Sequence, residues 1–202
     1  MNFDPIYLVY ALAAYLLGSI STAIITCKLM GLEDPRSVGS NNPGATNVLR
    51  TGGKKAAIIT LLGDMLKGLL PVLVVQQLSA DTAALAITGI SAFLGHLYPL
   101  YYRFKGGKGV ATFYGVLLGT NWMIGLSAMA IWGLMLLLFK ISGLSALVSA
   151  TASPFIVWYF DGSAILITTV TFMSLLLIWR HRSNIKKLLS GEEDKIGSKK
   201  KA

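Results

Sequence analysis

The sequence predicts an all-α integral membrane protein with seven transmembrane helices, its N-terminus outside and its C-terminus cytoplasmic. Three observations carry this. The 202 residues are 54% apolar and only 13% charged, whereas soluble domains hold about 25% charged residues. The apolar runs are long enough to cross a bilayer, which takes roughly 20 helical residues. The cations gather in alternate connecting segments. An open sheet is excluded, because lipid leaves unpaired backbone groups unsatisfied. The alternating pattern of a membrane barrel is absent.

The first span, residues 6–30, lacks the basic leader and cleavage site of a signal peptide and reads as a retained helix. It holds the single cysteine, Cys27, so no internal disulfide can form. The apolar surroundings of Cys27 favour packing over nucleophilic chemistry. The second span, 56–78, carries Asp64 and Lys67 at i, i+3, near enough to pair. Charges at membrane depth face the bundle interior. The third span is 82–102. The fourth, 110–120, is short: it continues into the preceding glycine loop or is a broken helix, and a five-span reading would demote it. The fifth to seventh are 123–139, 144–159 and 163–179. Asp81, the Thr120–Asn121 pair and Asp161–Gly162 mark short turns between antiparallel neighbours.

The charges set the orientation. One set of connectors carries Arg36, Arg50, Lys54, Lys55, Arg103, Lys105, Lys108, Lys140 and the cluster from Arg180 onward. The other set carries Asp4, Asp81 and Asp161 and no cation. Cytoplasmic loops carry the excess of Lys and Arg. The reading is one transmembrane domain, 1–190, followed by a mobile polar cytoplasmic tail, 191–202. The net charge of +9 fits anionic headgroups and anionic substrates, not nucleic acid.

Three inside segments hold the candidate chemistry. The first, 31–55, is rich in residues that make turns and local hydrogen bonds. Ser40, Asn41, Asn42, Thr46 and Asn47 offer neutral donors and acceptors, with Gly44 among them. Arg36 and Arg50 offer bidentate bonds to phosphate or carboxylate. The second, "GHLYPLYYRFKGGKGVAT", brings His96, Lys105, Gly106, Gly107, Lys108 and Gly109 together. Glycine amides can converge on an anion, and a helix starting near Gly109 adds its positive end. Lys108 is followed by Gly109, not Ser or Thr, so the nucleotide-binding P-loop pattern is not met. The third, "RHRSNIKKLLSGEE", places His181 and Asn184 on one helix face at i, i+3, able to close over a substrate at the cytoplasmic surface.

In order, spacing and chain length these three segments, with "DMLKG" between the first two, resemble the bacterial membrane glycerol-3-phosphate acyltransferases of the PlsY type. The resemblance implies a multi-pass enzyme of the bacterial inner membrane whose active site faces the cytoplasm. It implies acyl transfer to the sn-1 hydroxyl of glycerol 3-phosphate, giving lysophosphatidic acid, the first step of phospholipid synthesis. The usual donor is acyl phosphate; acyl carrier protein and acyl coenzyme A are the alternatives. Acyl carrier protein or an acyl-phosphate-producing enzyme is then the expected partner. Ser40, Arg50, Lys108, His181 and Asn184 are the expected catalytic residues. Asn42, Gly44, Thr46, Asn47, His96, Lys105, Gly106, Gly107 and Gly109 are the expected substrate-binding residues. Asp64, Lys67 and Glu192 are expected to be structural. No cofactor and no metal are expected.

Asn41 replaces a glycine usual in the family. Asn is the residue next most tolerant of positive φ, so the turn is expected to survive. Neither His181 nor His96 begins a histidine–x4–aspartate pair, and no Ser–His–Asp set is evident. The substrate phosphate is therefore expected to take the proton. The rival reading is a lipid or anion transporter with Asp64 and Lys67 on its path. It is disfavoured because the polar residues gather at one face and no inverted repeat is evident.

Overall fold

The computed structural model describes residues 4–79 and 81–197, and every regular element among them is helical. The chain forms two compact units that divide after Gly125.

In the first unit the expected opening span is broken. Helix α1 (Ile6–Gly18) ends, and α2 (Thr22–Leu29) begins after a three-residue interruption. The hydroxyl of Ser19 donates to the Tyr15 carbonyl at 2.8 Å. Helix α3 (Ala45–Leu78) starts eleven residues before the expected second span. Gly53, at φ 85° and ψ 177°, interrupts it, so residues 45–52 form a short helix ahead of the membrane stretch. The connector 31–55 is thus irregular only in its first half. Its Asn, Thr and Gly content hid a helix that is held by tertiary packing. Val48 and Ala56 pack with Ala23 and Cys27. Asp81 caps α4 (Thr82–Leu97) by accepting from the Ala83 amide at 2.8 Å. A 3-10 turn (Leu100–Tyr102) leads to α5 (Val110–Thr120), and α6 (Trp122–Phe139) follows.

Lipid supplies no hydrophobic drive between helices, so close backbone approach at small residues holds membrane bundles together. Gly18 of α1 lies against the Ala92 carbonyl of α4. Gly115 of α5 lies where any side chain would strike the Met65 carbonyl of α3.

In the second unit α7 (Ser142–Phe160) packs on α8 (Ala164–Arg180). Ser149 donates to the Ala128 carbonyl of α6 at 2.6 Å. Helix α9 (Arg182–Leu189) leaves α8 at a bend of 58°. The expected mobile tail is partly ordered. Gly191, at φ 73°, ends α9 with amide bonds from Gly191 to the Leu188 carbonyl and from Glu192 to the Lys187 carbonyl. Ile196 then donates its amide to the Lys140 carbonyl at 2.7 Å. Residues 198–202 of that tail lie outside the described residues.

The molecule is a multi-pass integral membrane protein. Among the described residues five helical stretches are long and apolar enough to cross a bilayer, and α8 reaches that length only if α9 is counted with it across their bend. Helix α5 has 11 residues, about 16 Å, well short of a bilayer core.

Gly115→Val should cost about 3 kcal/mol by overpacking, read as a fall in thermal unfolding temperature in detergent. Gly133→Ala, with nothing within 4 Å of the added carbon, should leave it unchanged or slightly raised.

Candidate active site

The loop of the first segment is organised by Asn47. This side chain is 2% exposed. Its Oδ1 accepts from the Ser40 amide at 2.8 Å, and its Nδ2 donates to the carbonyls of Pro35 (2.8 Å) and Val38 (3.0 Å). Asn47 was expected to bind substrate; its amide hydrogens are instead committed to the protein's own backbone. Gly39 and Asn41 complete the turn at φ 63° and 55°, so Asn41 does adopt the left-handed conformation. Ser40, between them, is exposed. A side chain at Gly44 would crowd the Asn42 amide. Arg50 is exposed on the short helix, one turn beyond Thr46 on the same face.

Arg36 is committed as well. Its Nη2 lies 2.6 Å from Asp34 Oδ2 and its Nε 3.0 Å from Oδ1. That fork holds the Asp34 carboxyl below the usual carboxylate range. The guanidinium also lies 5.8 Å from the Tyr102 ring centroid, tying the first segment to the second.

The second segment wraps around His96. The Gly107 amide donates to the His96 carbonyl at 3.2 Å. A side chain at Gly106 would strike that carbonyl. One at Gly107 would meet the His96 imidazole at Nε2, and the Pro43 carbonyl at 3.1 Å. Only glycine allows the loop to lie between His96 and the first segment. Gly109, at φ 90°, starts α5, whose positive end therefore abuts the loop. Lys105 is exposed and Lys108 half-buried.

Beneath this junction lie the buried charges. Lys67 Nζ is 2.8 Å from Asp64 Oδ1, with exposures of 5% and 3%. Lys67 also donates to the Ile20 carbonyl, at 2.7 Å, in the break between α1 and α2. Asp64 Oδ1 is 3.7 Å from His96 Nδ1. Thr112 of α5 donates to the Asp64 carbonyl at 2.8 Å.

In the second unit His181 is buried at the α8–α9 bend, with Nδ1 2.8 Å from the Leu177 carbonyl. A carbonyl cannot donate, so Nδ1 carries a proton and is the donor of this bond. Asn184 Nδ2 donates to Glu193 Oε1 at 2.6 Å, and Gly143 packs against both. The acid that faces Asn184 is thus Glu193, which sequence reasoning missed. Glu192 uses its amide to close α9, and its carboxylate accepts from Ser190 at 3.1 Å. The glycine-terminated helix was the signal: a chain reversing at Gly191 returns residue 193 toward residue 184. Among the described residues no group of three or more His, Cys, Asp or Glu is placed to hold a metal ion.

A model of the glycerol-3-phosphate acyltransferase family matches residues 8–191. A glycerol-3-phosphate acyltransferase of Methylococcus capsulatus is 54% identical over 187 residues, 93% of this chain and 94% of that one. One of Thioalkalivibrio sulfidiphilus is 55% identical over 190 residues, 94% of each chain. The crystal structure of PlsY, an integral membrane glycerol 3-phosphate acyltransferase, in its glycerol 3-phosphate form superposes with a TM-score of 0.90. It is 36% identical and covers 95% of this chain and 96% of that one.

Asn47→Ala removes three loop bonds and should cost about 3 kcal/mol. Hydrogen exchange at residues 35–40 should quicken before that of α3; equal protection would show that the loop does not depend on this side chain.

Proposed function

The chain belongs to the glycerol-3-phosphate acyltransferase family, and from that premise we propose that this acyltransferase acylates the sn-1 hydroxyl of glycerol 3-phosphate to give lysophosphatidic acid. The observation that carries the reading is the junction at Gly107. The glycine loop, His96 and the Pro43 carbonyl meet there within one unit, beside Lys105, Lys108 and the start of α5. Backbone amides, a helix N-terminus and lysines suit a phosphate group.

Acyl phosphate is the donor we assign. The glycerol hydroxyl attacks the acyl carbonyl, the carbonyl–phosphate C–O bond breaks, and the departing phosphate carries away the hydroxyl proton. The protein positions the groups and neutralises charge. Ser40, Arg50, Lys108, His181 and Asn184 are the residues we assign to that work. Asn42, Gly44, Thr46, His96, Lys105, Gly106, Gly107 and Gly109 shape the binding surface. Asp64 and Lys67 pair with each other and the Ile20 carbonyl, which fits scaffolding better than a transport path.

The proposed topology is seven membrane helices, counting α1 with α2 as one and including the short α5. The N-terminus is outside and the site faces the cytoplasm of a bacterial inner membrane. The support is the one-sided distribution of cations. In that setting the reaction opens phospholipid synthesis.

Purified protein should turn labelled glycerol 3-phosphate into lysophosphatidic acid with acyl phosphate. Acyl coenzyme A and acyl carrier protein, offered separately, should be poorer donors. No product from any donor would end this reading, and a preference for a thioester would correct the donor. Lys108→Ala should lower kcat/KM about 100-fold with membrane insertion unchanged; normal turnover would remove Lys108 from the site.

A further inference from the structure

Helix α8 runs through a 58° bend into α9. One stripe of side chains runs down α8 and continues onto α9. On α8 it holds Phe172, Leu175 and Trp179, which are 45%, 62% and 49% exposed. Their spacing of three and four residues keeps them on one helix face, the face that an integral protein turns to lipid. The same spacing continues through Arg182 and Lys186 to Leu189, 85% exposed. The chemistry changes along it from apolar to aromatic to basic.

Trp179 and Arg182 join the two helices across the bend. The Arg182 guanidinium lies 4.6 Å from the centroid of the Trp179 ring, and its Nη1 donates to the Trp179 carbonyl at 3.4 Å. Helix α9 buries none of its residues. Leu189 is a large apolar side chain beside two cations and touches little of the protein. Aromatic rings at the headgroup level, flanked by cations and an apolar residue, are the marks of a helix lying in the membrane surface.

We propose that the face of α9 formed by Arg182, Lys186 and Leu189 docks on anionic lipid headgroups of the membrane that α8 crosses. Charge complementarity supports the occupant: cations next to a span attract an anionic leaflet. Continuity with the lipid-facing stripe of α8 favours the membrane over a soluble acidic protein. Helix α9 begins after His181 and carries Asn184, so lipid docking also steadies the segment bearing those residues. The docking itself does not rest on the acyl-transfer reading.

The test uses the full chain in vesicles of phosphatidylcholine, alone or with about 30 mol% phosphatidylglycerol. A fluorophore is placed on Leu189→Cys; Cys27 is buried and escapes labelling. Lipid quenchers high on the acyl chain should quench it, roughly twofold more in the anionic vesicles. The Arg182→Gln/Lys186→Gln variant should lose that difference and keep the residual quenching. In the unlabelled wild-type chain, hydrogen exchange at residues 182–189 should be slower in anionic vesicles, which guards against a labelled variant that misfolds. No quenching in either vesicle would place α9 in water and leave its face to a soluble partner. Equal quenching and equal exchange in both would remove the anionic headgroup from the account. Either result overturns the proposal.

Discussion

The arrangement of the first unit depends on a lysine placed where membrane proteins avoid one. The opening span breaks between α1 and α2, which leaves backbone carbonyls without helical partners at membrane depth. An unsatisfied carbonyl there costs several kcal/mol. Lys67 donates to the Ile20 carbonyl, and Asp64 compensates the ammonium. A buried charge without its partner is strongly destabilising, so neither residue can be dispensed with alone. Through the same carboxylate the pair reaches His96, and through its backbone carbonyl it holds Thr112 of α5. Broken span, C-terminal end of α4 and start of α5 are thereby fixed to one point.

The glycine loop is built on that point. His96 supplies both a carbonyl to the Gly107 amide and a ring against which the glycine packs. The loop is placed by backbone contacts around His96. The first segment follows the same economy. Asn47 and Arg36 are spent on internal bonds, while Ser40 and Arg50 stay at the surface. Burial marks Asn47 as a loop holder, whereas Arg36, 35% exposed, is marked by its ion pair.

That division was not legible in the sequence. Apolar runs, one-sided cations and tight turns gave helix positions, because lipid enforces them. The three motif segments and the Asp64–Lys67 pair were also visible, as spacing on a helix. The break at Ser19–Ser21 was not, since Gly18, Ser19, Ser21 and Thr22 are small residues that continuous membrane helices also carry. The helix ahead of Gly53 was hidden by Asn, Thr and Gly of low propensity. Asn47 read as one donor among many; only its burial reveals a loop organiser. Glu193 went unnamed, because which acid faces Asn184 depends on the left-handed turn at Gly191.

The central claim is that Asp64 and Lys67 act as one unit in holding the broken span. A double-mutant cycle tests it directly, with Asp64→Ala, Lys67→Ala and the double variant followed by thermal unfolding in a single detergent. Each single change should cost about 3–5 kcal/mol. The double should cost less than the sum by at least about 1.5 kcal/mol. Additive losses would contradict the account, because they would mean that the carboxylate and the ammonium hold the fold independently.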